Sequence, residues 1–241
     1  MQMFSAVIRE KDRNSERKCM HVAVMPCTAK KFEAVRDEFK VDGKPDVDYV
    51  LTTQELVRMI KEAGILFRDI EPEAPDMPFG TMTGAGVIFG VTGGVTEAVI
   101  RRVLDDASPN TLQTIAECGV RGLGGIKAFT VTAGDLTIRI AVANGLANAD
   151  KLIAKVESGE EQFDFIEVMA CPNGCIGGGG QPPACNKRKA ERAEAIFKAD
   201  EACALRIPQQ NPDLSYVYDT LLQGRAHELL HIHYPAHGQH G

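Results

Sequence analysis

The sequence predicts an α/β protein, with a largely parallel sheet flanked by helices and a helical C-terminal appendage. Short apolar runs alternate with segments of helical pattern along residues 21–168, an order typical of strand–helix units that build a parallel sheet. Hydrophobic residues make up 44% of the 241 residues, which is enough for a proper core. From residue 186 onward the chain is charged and rich in alanine, which predicts helices. We therefore expect two regions, residues 1–185 and 186–241.

The first part of the chain predicts two strand–helix units. An apolar run at 21–25 is followed by a Pro-Cys-Thr turn and a helical pattern, and a second apolar run follows at 48–51. The segment from Thr52 to Glu55 fits a capping box, in which each of these two side chains accepts a hydrogen bond from the other residue's backbone N–H. A helix should therefore begin there. Residues 69–80 are acidic and rich in proline, which predicts a loop.

The middle of the chain predicts a glycine-rich turn, a hairpin and one further strand–helix unit. Residues 84–94 contain five glycines and lead into a helical pattern. Two apolar runs joined by a Gly-Asp turn predict a β-hairpin over residues 128–143. A helical pattern near residues 148–157 is followed by an apolar run at 163–168, which predicts the last strand.

Composition and charge exclude several classes of protein. With a net charge of −6, no tryptophan and 6% aromatic residues, the chain lacks the basic surface and the stacking platform that nucleic-acid binding requires. No apolar run approaches the ~18 residues of a membrane-spanning helix, and no signal-peptide pattern opens the sequence. We therefore predict a cytoplasmic protein. The seven cysteines would stay reduced in that compartment, which favours metal or redox chemistry over disulfides.

Three cysteines form the candidate metal site. Cys171 and Cys175 lie on a Cys-Pro-Asn-Gly-Cys loop directly after the apolar run at 163–168, and four glycines follow at 177–180. Cys27 lies in the turn after the first strand, and the carboxyl ends of parallel strands meet at one edge of a sheet, so we expect the three thiols in one site. Thiolates on an irregular loop suit an iron–sulfur centre, which normally takes four of them. A buried cysteine pair beside a flexible turn is the alternative.

Other patterns give weaker indications of chemistry. Cys185 could complete a zinc site with the two loop cysteines and one further ligand. The glycines of residues 84–94 do not follow the G-x-G-x-x-G dinucleotide pattern, although they suit a close approach to a bound cofactor. The segment from His227 to His231 matches the H-E-x-x-H zinc-protease pattern, but we predict an amphipathic helix with its leucines packed inward. The remaining cysteines are predicted to be small buried hydrophobes: Cys19, Cys118 and Cys203.

Four segments together resemble the iron-only (FeFe) hydrogenases. Residues 25–33, Met-Pro-Cys-Thr-Ala-Lys-Lys-Phe-Glu, are similar to the second cluster motif of that family. Residues 167–182, Glu-Val-Met-Ala-Cys-Pro-Asn-Gly-Cys-Ile-Gly-Gly-Gly-Gly-Gln-Pro, are similar to the third. Residues 83–95 resemble the glycine-rich segment that lines the cofactor pocket, and residues 225–234 resemble the small-subunit segment. The resemblance implies one lobe, with part of a second, of the hydrogenase catalytic domain, followed by a small-subunit-like helical segment.

The resemblance also implies a cofactor, the H-cluster, which is a 4Fe–4S cubane joined to a two-iron unit with CO, cyanide and a bridging dithiolate. Cys27, Cys171 and Cys175 would be the metal ligands, and Cys175 would also bridge to the two-iron unit. Lys30 would donate a hydrogen bond to a cyanide ligand, so Lys30 and Cys175 would be the catalytic residues. The implied reaction is the reversible reduction of protons to H2, with electrons from a ferredoxin or another iron–sulfur carrier.

Apolar side chains and partner proteins complete what the resemblance implies. Met25, Met169 and Phe89 would exclude water from the cofactor, and Pro26 would belong to the backbone that cradles its cyanide side. Hydrogenase maturation factors would be needed to insert the two-iron unit. The protein would supply orientation, hydrogen bonds and a dry surrounding, while the metal would carry the chemistry.

The sequence departs from the family pattern at one point. Nothing in it matches the first cluster motif, Thr-Ser-Cys-Cys-Pro, which carries the fourth cubane ligand and a proton-relaying cysteine. Three explanations are open: a truncated gene product, a split enzyme whose second chain carries that motif, or a homologue that acts in iron–sulfur assembly or sensing. We expect little or no hydrogenase activity from the isolated chain, because three thiolates would hold the cubane incompletely.

Overall fold

A computed structural model describes residue 8 and residues 19–41, 43–77, 80–106, 108–134 and 136–231. The chain divides into two compact units, the first made of Met1–Asp76 and Ser215–Gly241 and the second of Met77–Leu214. Within the described residues, no helix is both long enough and apolar enough to cross a membrane.

The first unit is built on two parallel strands. Its elements before residue 76 are β1 (Val22–Met25), α1 (Ala29–Val35), β2 (Lys40–Val41), β3 (Lys44–Pro45), β4 (Tyr49–Thr52) and α2 (Thr53–Glu62). β1 and β4 pair in parallel, with Val22 opposite Tyr49, whereas β2 and β3 form a short antiparallel pair. The core of this unit consists of Ala34 from α1, Val47 just before β4 and Val50 within β4. The apolar runs predicted as strands therefore bury one face against a helix, as a βαβ unit requires.

The predicted capping box at the start of α2 is confirmed. The Thr52 hydroxyl accepts a hydrogen bond from the Glu55 backbone N–H at 3.2 Å, and the Glu55 carboxylate accepts one from the Thr52 N–H at 2.7 Å. The Lys31 ammonium also donates a hydrogen bond to this carboxylate. Of the contacts that lower the pKa of Glu55 to about 2, this hydrogen bond has the largest effect. Two otherwise unsatisfied N–H groups at the helix start are thus paired.

The second unit carries a three-stranded sheet and most of the helices. In chain order its elements are α3 (Gly84–Val87), α4 (Gly94–Leu104), α5 (Pro109–Ile115), β5 (Ile126–Ala133), β6 (Leu136–Asn144), α6 (Leu146–Glu157), β7 (Phe165–Met169) and α7 (Asn186–Ala202). β5 and β6 form the predicted antiparallel hairpin, and β6 pairs in parallel with β7. Two short helices follow in the chain, α8 (Pro212–Tyr216) and α9 (Ala226–Leu230).

Both faces of the second unit's sheet are covered by helices. On one face, Ala149 and Leu152 of α6 pack on the alanines of β6. On the other face, Ile100 of α4 and Ile115 of α5 pack on Ile140 of β6. This arrangement explains why β6 is apolar on both faces along its second half, where residues 140–144 are all buried.

The predicted α/β class, with helices flanking the sheets, is confirmed. The pairing of the described strands is mixed, with two parallel and two antiparallel pairs. Helix α5 was not predicted from the sequence, although Ser108 caps it and Pro109 opens it. The predicted helix after residue 186 is also confirmed, and it ends at Ala202 because Cys203 is extended.

Candidate functional site

The loop that carries Cys171 and Cys175 leaves β7 and folds back on itself at once. The Cys171 carbonyl accepts a hydrogen bond from the Gly174 N–H at 3.0 Å, and the Cys175 carbonyl accepts one from the Gly178 N–H at 3.0 Å. Asn173 and Gly174 both have positive φ, 72° and 80°. Two successive left-handed residues reverse the chain, so the two cysteines lie at the two ends of one tight turn.

This cysteine loop, residues 170–182, rests directly on the glycine-rich turn. A Cβ atom placed on Gly174 would lie 2.8 Å from the Thr92 backbone nitrogen and 3.1 Å from the Gly90 oxygen. A Cβ atom on Gly177 would lie 2.1 Å from the Pro172 oxygen. Gly174 therefore allows the backbone of the cysteine loop to pack directly on the backbone of the glycine-rich turn, and Gly177 allows the loop to close on itself.

Replacing Gly174 with Ala is expected to lower the free energy of unfolding by more than about 1 kcal/mol, because the new methyl group meets backbone and φ is positive. Urea denaturation measures the change. Gly159→Ala is the matched control, since Gly159 has a φ of 78° and nothing within 4 Å of its Cβ position. Equal losses in the two variants would show that the contact with the glycine-rich turn has no effect on stability.

A buried carboxylate ties β7 to the start of α4. Glu167 is 5% exposed and accepts hydrogen bonds from the Gly93 N–H, the Thr96 N–H and the Thr96 hydroxyl, each at 2.7 Å. The N-cap residue of α4 is Gly93, which has no side chain to cap the helix, so Glu167 supplies the acceptor from another element. The sequence alone does not predict this role for Glu167, although an acidic residue within an apolar strand is a signal for it.

Two further side chains hold the cysteine loop in place. The Asn144 amide, at the end of β6, accepts a hydrogen bond from the Asn173 N–H and donates to the Leu123 and Gly124 carbonyls at 3.2 and 3.3 Å. Arg192 of α7 donates to the Ile176 and Pro182 carbonyls at 3.0 and 2.9 Å. The loop is thus held by β6, by the glycine-rich turn and by α7.

The predicted site residues fall in both units. Met25, Pro26, Cys27 and Lys30 lie on the turn from β1 into α1 in the first unit, where Cys27 is half-buried and Lys30 forms an ion pair with Glu33. The second unit holds Phe89, Met169, Cys171 and Cys175. Phe89 is 47% exposed. The next residue, Gly90, packs against Gly174 of the cysteine loop. Within the second unit, the turn that carries Phe89 thus contacts the cysteine loop, while the four residues of the first unit are neighbours in the sequence.

The other cysteines differ from their predicted environments. Cys19 is exposed, while Cys118 and Cys203 are only half-buried, so none of the three is the fully buried hydrophobe that was predicted. Cys118 packs beside the core at Ile115, and burial raises the pKa of its thiol. Cys203 donates to the Ala199 carbonyl, which helps to end α7. Cys185 is exposed at the N-cap of α7.

The second unit fits one side of an iron–sulfur group. Its loop presents two thiols, and none of the seven cysteines is in a disulfide. The Thr92 hydroxyl is buried with no hydrogen-bond partner among the described residues, and the backbone of Thr92 contacts Gly174 of the loop. Across those same residues, no three His, Cys, Asp or Glu side chains gather into a metal site. The donor set suits iron, but the loop alone gives two of the four thiolates of a cubane.

The class defined by this fold and loop is an α/β protein with a thiolate loop suited to iron–sulfur chemistry. Residues 1–179 match the family described as iron only hydrogenase large subunit, C-terminal domain, and residues 186–237 match iron hydrogenase small subunit. The chain therefore belongs to the iron-only hydrogenase family. The boundary expected at residue 185 stays a prediction.

Two relatives and one solved structure show the range of similar proteins. The chain is 44% identical over 223 residues to an NADP-reducing hydrogenase subunit of Solidesulfovibrio fructosivorans, covering 90% of this chain and 38% of that protein. It is 31% identical over 228 residues to cytosolic iron-sulfur assembly component 3 of Mus musculus, covering 91% and 48%. A variant of [FeFe]-hydrogenase HydA1 from Chlamydomonas reinhardtii is similar with a TM-score of 0.72 and 36% identity, covering 98% and 68%. The chain thus spans less than half the length of either curated relative.

Proposed function

We propose that this chain contributes part of an FeFe-hydrogenase active site, for the reversible reduction of protons to H2 with electrons from a ferredoxin-type carrier. The observation that carries the proposal is the cysteine loop, with two thiols at the ends of one turn held in place by β6, α7 and the glycine-rich turn. Membership of the hydrogenase family and 44% identity to a hydrogenase subunit support it. The H-cluster, when bound, supplies the redox chemistry.

The protein's own residues would bind and shield that group. Cys27, Cys171 and Cys175 would give thiolates to the 4Fe–4S cubane, and Cys175 would also help to hold the two-iron unit. The Lys30 ammonium, now paired with Glu33, would donate a hydrogen bond to cyanide, which suits a cation near an anionic ligand.

Apolar side chains would keep water from the same place. Met169 ends β7 next to the cysteine loop, and Phe89 is exposed where it could cover a bound group. Met25 and Pro26 would serve the cyanide side from the first unit. The partners proposed are a ferredoxin or other iron–sulfur carrier, maturation factors and, where the first cluster motif is on a separate polypeptide, that polypeptide.

Anaerobic reconstitution with hydrogenase maturation factors, followed by a hydrogen-evolution assay with reduced viologen, tests this function. Residues 1–241 alone should give little or no H2, and a co-expressed polypeptide with the Thr-Ser-Cys-Cys-Pro motif should restore evolution, because a cubane takes four thiolates. Robust turnover by the chain alone would contradict the need for a fourth thiolate. No H2 from the iron-loaded pair would contradict the hydrogenase function.

A second function is an iron–sulfur assembly or sensing role without hydrogen chemistry. The observation that favours it is the mouse iron-sulfur assembly component, which matches 91% of the chain at 31% identity. Such a protein would use the same cysteine loop to hold iron and sulfide, but it would need no CO or cyanide on the iron. The ligands on the iron therefore separate the two functions.

A further inference from the structure

The peptide group that joins Thr92 to Gly93 lies between two charged side chains. The Lys127 ammonium donates to the Thr92 carbonyl oxygen at 3.3 Å, and the Glu167 carboxylate accepts from the Gly93 N–H at 2.7 Å. The carbonyl and the N–H belong to one planar peptide unit, so a cation and an anion fix its two ends. We call Lys127, Glu167 and this peptide the peptide clamp.

Each charge in the peptide clamp has several hydrogen-bond partners. Lys127 also donates to the Val120 and Gly122 carbonyls at 2.6 and 2.9 Å. Burial lowers the pKa of Lys127, while the negative charge of Glu167 acts in the opposite direction. Glu167 takes its remaining hydrogen bonds from Thr96 at the start of α4. The Lys127 and Glu167 side chains are therefore held in place, because moving either one would leave a buried donor or acceptor without a hydrogen-bond partner.

Gly93 is required at the centre of the peptide clamp. Its φ is 88°, and a Cβ atom there would lie 2.1 Å from the Val120 oxygen and 3.0 Å from the Lys127 nitrogen. No other residue type fits between these two groups without moving them. One glycine of residues 84–94, Gly93, is thus explained by its position in a peptide that Lys127 and Glu167 hold from both ends.

The peptide clamp controls two sides of the cysteine loop. Gly174 packs against the backbone of Gly90 and Thr92, and Thr92 belongs to the clamped peptide. On the other side, Glu167 lies in β7, four residues before Cys171, so its hydrogen bonds fix the strand from which the loop begins. A shift of Glu167 would therefore move the loop's strand and its supporting surface together.

We propose that Glu167 and Lys127 are positioning residues that set the geometry of the Cys171 and Cys175 thiols for an iron–sulfur group. That the bound ligand is an iron–sulfur group rests on the proposed function. That Glu167 and Lys127 set the positions of the two thiols does not. Neither residue touches the reacting atoms; they act through the Thr92–Gly93 peptide and through β7.

Thiol reactivity in the apo protein tests the proposal without any cluster. Glu167→Gln keeps the shape but turns an acceptor oxygen into an NH2 group facing an N–H donor. We expect iodoacetamide to alkylate Cys171 and Cys175 about tenfold faster in this variant, the effect of losing about one buried hydrogen bond. Lys127→Met should act in the same direction. Peptide mass spectrometry gives the rate at each cysteine, and the rate at Cys203 should not change.

Leu152→Ala is the matched control for a purely structural role. Leu152 is buried in the core between α6 and β6 with Ala141 and Ala143, whereas Glu167 is in register with Val142 and so lies on the other face of the sheet. Truncation of Leu152 should therefore lower stability without changing the clamp. Equal acceleration in Leu152→Ala and Glu167→Gln, at equal loss of Tm, would overturn the proposal, as would unchanged rates in Glu167→Gln. Combining Glu167→Gln with Lys127→Met should add little to either change, because the two side chains act on one peptide, whereas fully additive effects would contradict a shared clamp.

A second readout connects the peptide clamp to the iron–sulfur group. After anaerobic reconstitution, Glu167→Gln should change the electron paramagnetic resonance signal of the bound cluster, and Leu152→Ala should not. An unchanged signal with altered alkylation would overturn the link to the ligand. Wild-type protein that binds no iron, even beside a polypeptide with the Thr-Ser-Cys-Cys-Pro motif, would contradict the proposed function, and the alkylation rates would still decide whether the peptide clamp positions the thiols.

Discussion

Replacing Asp200 with Asn is expected to lower the free energy of unfolding by about 3–5 kcal/mol, because it breaks a buried ion-pair network by removing one partner. Asp200 is fully buried and accepts two hydrogen bonds from Arg101, both at 2.8 Å, and two from Arg206, at 2.9 and 2.6 Å. Arg101 is equally buried and also bonds Glu97. Asparagine would leave Arg101 buried with one charged acceptor fewer. Urea denaturation at neutral pH measures the loss.

The pH dependence of this loss is a second check on the same network. Burial alone would raise the pKa of Asp200, but the hydrogen bonds from Arg101 and Arg206 hold it below its ordinary value of 3.8. A lowered pKa means that the stabilisation is complete above pH 3.8 and is lost as the pH falls through the folded value. The difference between Asp200→Asn and wild type should therefore shrink in acid. Glu194→Gln, which breaks an exposed pair with Lys198 on the same helix, should change stability little.

Unfolding curves of Asp200→Asn and wild type that coincide would contradict this account.

The ion-pair network also joins two helices of the fold, because Asp200 lies on α7 and Arg101 on α4. α7 falls in the region that matches the small subunit, and α4 in the region that matches the large subunit. The buried ion pairs thus join the two matched regions within the second unit.

Replacing Cys171 or Cys175 with Ser is expected to remove most of the iron from the reconstituted chain. Thiolates are the ligands of iron–sulfur clusters, and a hydroxyl is a poor substitute. Iron and acid-labile sulfide per chain, measured after anaerobic reconstitution, give the result. Cys27→Ser should have the same effect if the first unit contributes the third thiolate.

Cys203→Ser is the matched control for the cysteine loop variants. Cys203 is half-buried like the loop cysteines, but its thiol bonds the end of α7 instead of facing a candidate site. Its replacement should leave the iron content unchanged. Iron that survives in Cys171→Ser and Cys175→Ser, or that is lost equally in Cys203→Ser, would contradict the assignment of the loop.

Local patterns predicted much of the fold because local interactions determine it. The alternation of apolar runs gave the α/β class, and the spacing of Thr52 and Glu55 gave a helix start that the structure confirms. α5 was missed because its sequence, Pro-Asn-Thr-Leu-Gln-Thr-Ile, is mostly polar and short, although its cap and its proline were visible. Such a helix is stabilised by packing of Leu112 and Ile115 and not by periodicity.

The site could be predicted only where its residues are neighbours in the chain. The cysteine loop was visible because its thiols, its turn and its glycines are contiguous. The acceptor role of Glu167 was not, since its partners Gly93 and Thr96 lie more than 70 residues away in the sequence. Arg101 and Asp200 are 99 residues apart, and charged residues on helices are usually exposed. Long-range pairing of buried charge leaves no local pattern from which to predict it.

Infrared spectroscopy of the matured, iron-loaded protein tests the central claim most directly. An FeFe-hydrogenase site requires CO and cyanide on iron, and these ligands absorb where proteins and plain iron–sulfur clusters do not. Paired with a polypeptide that carries the Thr-Ser-Cys-Cys-Pro motif, the chain should show CO and cyanide bands, and Cys175→Ser should lose them. A bound iron–sulfur cluster with no CO or cyanide band would contradict the hydrogenase function and favour iron–sulfur assembly.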